Sequence, residues 1–341
     1  MRYFMRSLLF VLTFILIIVP LLSAQVESAG KDDLAEAAKC YTAGKFDCTI
    51  SILSKLAESG SMEPARKQEL YHWLGRSYAA KEELENAQTT LMKLVAIDPP
   101  KYVLNPEEET QRFMNSYYGA LKQVKGSNEV EAPDPGIRTM AILDFSNRLI
   151  GDDRANYDPL QLGLADDLLL QLDGSVKLKL VERERISWIL DEIDLENDPG
   201  KFDAETAVRV GKQLGVHLVV LGSFVGFKDN MKLTARLVKV ETSEIIGTAE
   251  AAGEIDNFFE LTEALAKDIM EKIEVEVPDT AMKAGVRTRS LEAELAYSAG
   301  MDLAARGLYL AALEKFMLAL KYDPEFERAR KRADAMKPMV G

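Results

Sequence analysis

The chain has 341 residues, and 55 acidic side chains against 42 basic ones leave a formal charge of −13. An acidic chain without a long basic run is repelled by phosphate backbones, which argues against nucleic-acid binding. Two cysteines and two histidines are too few for a metal centre when His72 and His217 fall in separate predicted domains.

Arg2 and Arg6 precede an apolar run from Leu8 to Leu22, and Ser23-Ala24 follows. A basic start, about fifteen apolar residues and a small residue at the cut are the anatomy of a secretory signal peptide, whereas a membrane-spanning helix needs about twenty. An uncleaved N-terminal anchor is the competing reading. Residues 1–24 are expected to be removed, leaving a periplasmic chain that starts at Gln25, carries a formal charge of −15 and has no membrane-spanning segment. What remains is long enough for two or three domains.

Residues 25–125 read as an N-terminal helical domain. Tyr71, Leu74, Gly75, Tyr78, Ala87, Leu91, Leu94 and Pro99 are spaced so that small residues let two antiparallel helices approach and a proline stops the second. Gly44, Phe46, Leu53 and Leu56 make a weaker copy, and residues 107–122 read as one further helix. These positions resemble the tetratricopeptide repeat family, whose stacked helix pairs form concave surfaces for partner segments. A generic helical hairpin bundle is the plainer alternative. Cys40 and Cys48 fall near the facing ends of two consecutive helices in the first repeat. In an oxidising periplasm they are either bridged or two buried thiols acting as small hydrophobes, and both readings stay open.

The polar stretch 126–137 holds two prolines and two glycines and reads as a linker. Residues 138–276 then form the centre of the chain. Met140–Leu143 and Leu178–Val181 are strand-like, and each precedes a helical pattern: Leu160, Leu164, Leu168 and Leu172 in the first, Ile186, Ile189, Leu190 and Ile193 in the second. A third helix over 205–214 ends at Gly215, and the run Val216–Leu221 reads as a strand buried on both faces. Leu233, Ala235 and Leu237 and the strand 245–251 alternate with period two about Glu241–Glu244, a hairpin pattern. Leu261, Leu265, Ile269 and Ile273 stripe a closing helix. These alternations predict an α/β domain, a mixed sheet with helices packed on it.

The ordered motifs Met140-Ala-Ile-Leu-Asp-Phe-Ser-Asn147, Gly163-Leu-Ala-Asp166, Leu180-Val-Glu-Arg183, Gly211-Lys-Gln-Leu-Gly215, Leu221-Gly-Ser223 and Ala235–Thr242 resemble the α/β domain of the curli assembly/transport component (CsgG) family, related to the N-terminal domain of TolB. The resemblance implies a role in envelope assembly or secretion. Relatives are often lipoproteins, but Gln25 stands where the lipidated cysteine would be. In the curli pore two long insertions form transmembrane hairpins; here the corresponding connections, 226–230 and 253–257, are too short to cross a bilayer.

Residues 277–289 give a second linker. Beyond it Gly300, Leu303, Gly307, Tyr309, Ala312, Phe316, Ala319 and Pro324 repeat the tetratricopeptide pattern over 290–341, with 325–336 as a capping helix. One repeat buries too little apolar surface to stand alone, so it must dock on the central domain, the N-terminal repeats or another subunit.

Catalytic signals are missing. His72 sits beside Trp73 on a repeat helix and His217 opens a buried strand, which suits structural roles. Gly222-Ser-Phe-Val-Gly226 lacks the spacing of a nucleophile elbow, and no glycine-rich phosphate loop occurs. Glu182-Arg-Glu-Arg185 reads as a solvated, partly self-paired turn. The expectation is a non-enzymatic, cofactor-free scaffold or adaptor that binds protein partners in the cell envelope. A self-assembling, homo-oligomeric ring component and a ligand binder or enzyme at the sheet edge are the alternatives.

Overall fold

The computed structural model describes residues 32–58, 62–97, 104–127, 136–175, 177–193, 203–275 and 287–341. The chain divides into two compact units, Met1–Val103 with Gly341 and Leu104–Val340. The signal segment, Pro99 and most of both linkers lie outside the described residues.

The first unit is helical: α1 over 32–42, α2 (Phe46–Glu58), α3 (Pro64–Ala80) and α4 (Leu84–Val95). Gly44, at φ +69°, turns the chain between α1 and α2, a conformation glycine adopts without Cβ strain. A disulfide joins Cys40 to Cys48 across that turn, with 5.9 Å between Cα atoms. α3 and α4 touch where a Cβ added to Gly75 would lie 2.7 Å from Leu91 Cδ2, and Leu74, Ala87 and Leu94 are buried around that contact.

The second unit is built on a mixed six-stranded sheet. Its strands are β1 (Arg138–Ile142), β2 (Ser146–Ile150), β3 (Leu178–Leu180), β4 (Leu218–Phe227), β5 (Asn230–Lys239) and β6 (Glu244–Glu254). The order is β3-β1-β4-β5-β6, with β2 also on β4. β1 runs parallel to β3 and β4, while β5 is antiparallel to both β4 and β6. β4 is thus the interior strand that the run Val216–Leu221 implied, although it extends six residues further, to Phe227. That extension pairs with β2, a strand the periodicity does not show because Ser146-Asn-Arg carries no apolar alternation. The free edge of β2 is closed locally: Leu149 N donates to Asn147 Oδ1 and Arg154 Nη2 donates to Asn147 O.

Two helices, α6 (Leu160–Leu172) and α9 (Phe258–Lys272), bury the predicted stripes Leu160/Leu164/Leu168/Leu172 and Leu261/Leu265/Ile269 in one core with Leu218, Val220, Phe224 and Leu233. On the opposite face α8 (Ala204–Leu214) approaches so closely that a Cβ on Gly211 would sit 2.8 Å from Val219 Cγ2. α8 ends at Gly215, in the left-handed conformation. The connections that the resemblance singled out are short: β4 passes to β5 through Lys228-Asp229, and β6 passes to α9 through one 3-10 turn, Ile255–Asn257.

One helix is placed differently from the sequence grouping. α5 (Gln111–Lys125), read above with the N-terminal repeats, packs on α7 (Arg183–Glu192) of the second unit. Tyr118 lies against the Trp188 ring, with centroids 5.8 Å apart, and its hydroxyl donates to Glu182 at 3.0 Å. Phe113, Met114, Tyr118 and Ala120 form the buried side of α5, and the N-terminal helical unit ends before it, at Val103.

The C-terminal helices α10 (Leu291–Ala305), α11 (Tyr309–Tyr322) and α12 (Glu327–Met336) belong to the second unit too. α10 crosses α6 where Gly163 leaves room for Ser298. The expected docking is therefore onto the sheet body.

Candidate functional site: a charged seam under the C-terminal helices

β1 and β3 are parallel, so the loops at their carboxyl ends lie side by side, the usual ligand position in an open α/β sheet. Asp144 follows β1 and Arg183 opens the helix after β3. Arg183 grips the Asp144 carboxylate with both guanidinium arms, one at 3.0 Å, a bidentate geometry that fixes orientation as well as charge. The next residue, Glu184, is buried and accepts from Arg332 of α12 at 2.5 Å; Arg332 also donates to Pro106 O at 3.0 Å. One turn earlier on α12, Arg328 pairs with Asp166 of α6 at 2.7 Å and with Glu107. Arg287, just ahead of α10, binds Asp167 of α6 and reaches Glu263 of α9 at 3.1 Å.

The local sequence explains why α12 presents these arginines inward. Ala329, Ala333 and Met336 form its buried apolar side, and Arg328 and Arg332, four residues apart, flank that side on one face. A buried guanidinium requires a carboxylate partner. Burial pushes the Asp166 carboxyl up, but Arg328, helped by Arg332 and Arg183, outweighs it and holds the group below the usual carboxylate range. Glu107 behaves likewise, lowered by Arg328 against its burial. Glu294 of α10 is the exception: burial first, then Asp167 and Asp166, push its carboxyl up to about 8, and its neighbour in hydrogen bonding is Ser298 Oγ at 3.0 Å.

Two clefts open beside the seam. One, of about 360 Å³, has Leu169, Leu170, Leu180 and Val181 on its apolar side and Glu182 and Arg183 on its polar side. The other, of about 400 Å³, lies between Asp144, Asp158 and Pro159 on one side and Asp302 and Leu303 of α10 on the other.

No family model matches the chain, and neither does any curated protein. Among solved structures it is similar to the LpoB C-terminal domain from Salmonella enterica, at 20% identity over 41% of this chain and 95% of that one, with a TM-score of 0.26. The LpoB C-terminal domain from Escherichia coli gives 18% identity, 44% and 99% coverage and a TM-score of 0.27. A likeness of that size carries no functional argument.

The reading of Glu182–Arg185 as a solvated, self-paired turn is corrected by the seam. Arg183 and Glu184 point into the body and pair with Asp144 and Arg332, distant in sequence, rather than with each other. The signal that sequence reasoning passed over was Arg328 and Arg332 on a helix whose other side is apolar. His217 holds the starts of β1 and β4 together: its Nδ1 lies 2.8 Å from Thr139 Oγ1 and accepts from Thr139 N at 3.1 Å. Of the repeat-signature residues, Tyr71, Gly75, Tyr78 and Ala87 lie together in the first unit. Gly300, Gly307, Tyr309, Ala312, Phe316, Ala319 and Pro324 lie in the second. Gly300 faces the Phe316 ring, Tyr309, Ala312 and Ala319 are buried, Gly307 turns the chain at φ +74°, and Pro324 follows the end of α11. Among the described residues no group of three His, Cys, Asp or Glu side chains is arranged for a metal ion. No described helix is long and apolar enough to cross a membrane. Chemically the seam is a lock, in which each arginine is neutralised by a fixed carboxylate.

Proposed function

We propose that this chain is a non-enzymatic scaffold or adaptor of a cell-envelope assembly or secretion system. On this reading it has a CsgG-like α/β domain and tetratricopeptide-like helices that bind protein partners. The observation that carries the reading is the seam itself. Arg183, Arg328 and Arg332 are each matched to a carboxylate, Asp144 just after β1, Asp166 on α6 and Glu184 on α7, so the geometry serves rigid attachment of α10–α12. The signal-like start of the sequence supports the periplasm as its compartment.

The ring-component alternative is one without a transmembrane pore of its own, and the Lys228-Asp229 turn, far short of the twenty or so residues a transmembrane hairpin takes, supports that form of it. The test is cross-linking in intact cells followed by recovery of the tagged full chain from the periplasmic fraction. The expected result is a discrete envelope protein cross-linked to the helical surfaces and located there by mass spectrometry. Recovery in the cytoplasm, or turnover of a substrate that Arg183→Ala abolishes without unfolding the protein, would overturn the reading.

A further inference from the structure

We propose that the outward face of α11 is a self-docking surface, on which a second copy of this chain lies antiparallel across a two-fold axis near Met317. The inference stands apart from the scaffold reading, since a chain of any function can pair in this way.

α11 turns Tyr309, Ala312, Phe316 and Ala319 inward against α10 and α12. A surface helix with that inner stripe ordinarily carries charge on its other side. Here the other side reads Leu310, Glu314, Met317, Lys321, at helical spacings of four, three and four. Leu310 is 62% exposed and Met317 57%, and half-buried Leu313 and Leu320 widen the apolar strip on one flank. So the outward face of α11 carries two large exposed apolar side chains among its charges, with only the inner face covered within the described chain.

The charges on this face say what covers it. Glu314 and Lys321 are both exposed and stand seven residues apart, two helical turns. A two-fold axis reverses the helix, so Glu314 of each copy meets Lys321 of the other while Met317 meets its own image. Two reciprocal ion pairs then flank an apolar centre, an isologous contact that closes at two copies. A chain with a formal charge of −13 repels its copy, so self-contact requires a patch whose own charges cancel. Glu314 and Lys321 put one charge of each sign along its middle, and exposed Lys315 stands on its flank. A face built for an acidic or a basic partner would carry a single sign.

The test is sedimentation equilibrium of the full mature chain from about 1 µM to about 1 mM, the range in which modest interfaces associate. The expected result is a monomer–dimer equilibrium with no larger species. Glu314→Lys or Lys321→Glu alone sets like charges opposite each other and should weaken the dimer about tenfold. Glu314→Lys with Lys321→Glu exchanges the signs and should restore it. Met317→Cys should give a symmetric disulfide-linked dimer under mild oxidation, whereas Glu292→Cys on α10 should not. Unchanged melting of each variant excludes misfolding as the cause. A chain that stays monomeric throughout the range, or a dimer that ignores the single charge changes or fails to recover in the double exchange, overturns the proposal.

Discussion

Arg332 on the last helix donates to the Glu184 carboxylate on α7 across 2.5 Å, and both side chains are buried. This contact ties the C-terminal helices to the first turn of the helix that follows β3, far upstream in sequence. Buried pairs of this kind add little net stability over a well-packed apolar pair, because desolvating two charges offsets most of their attraction. Breaking one of them is another matter. Arg332→Ala leaves a buried, unpaired Glu184 and is expected to cost about 3–5 kcal/mol in urea unfolding. Arg332→Met combined with Glu184→Leu should cost less than the single change. The exposed pair Arg306–Asp302, at 3.3 Å, supplies the contrast: Arg306→Ala should cost under about 1 kcal/mol.

Glu294 gives the second unit a pH dependence of definite sign. Its folded pKa is raised to about 8, against about 4.3 in an unfolded chain, so between those values the folded state holds a proton that the unfolded state releases. Stability therefore falls as pH rises through that window, by up to about 1.4 kcal/mol per unit. Asp166 and Glu107 act oppositely, because their lowered pKa values contribute stability that is lost as pH falls below the carboxylate range. The groups facing Glu294 are Asp166, Asp167, Arg328 and Ser298. Glu294→Gln should flatten the alkaline limb and raise the melting temperature at pH 8. An unchanged limb would show that another group carries it.

Close helix contacts make two glycines sensitive. A Cβ on Gly163 would fall 2.0 Å from Ser298 Oγ, and one on Gly300 would fall 2.7 Å from Phe316 Cε1. Gly163→Ala should push α10 off α6, and Gly300→Leu should wedge α10 from α11. Overpacking of this kind costs about 1–3 kcal/mol, read as a lowered denaturation midpoint. Wild-type midpoints would mean that these helices do not touch.

The Cys40–Cys48 bridge closes a short loop in the first unit. Its removal by Cys40→Ser with Cys48→Ser should destabilise that unit by about 2–3 kcal/mol, with no effect on a variant already reduced. A non-reducing peptide map of the exported protein in which both thiols alkylate freely would count against the bridge.

The sequence by itself determined the elements whose signal is local. Leucines every fourth residue from Leu160 to Leu172 mark a helix that must lay one face on a core, and the unbroken apolar run before Gly222 marks a strand with neighbours on both sides. Gly215 marks where a helix stops. Periodicity reports these because the apolar side of an element is set by its own repeat, whatever it meets. Strand β2 escaped notice because Ser146-Asn-Arg is polar, and its partner is the far half of β4 rather than anything nearby. α5 was legible as a helix but not as a part of the sheet body, since an aromatic stripe does not name the surface that will cover it.

Tertiary structure alone decided the fate of the charges. An arginine at a helix flank reads the same whether water or a carboxylate receives it, and the carboxylates of Asp144, Asp166 and Glu184 stand far along the chain from or on other elements than the guanidiniums they meet. Only the fold brings the ends of β1 and β3 under α12, and only there does burial strip away the water. Each of Arg183, Arg328 and Arg332 then has to find an anion, because an unpaired charge in that interior would cost more than the helices gain by docking.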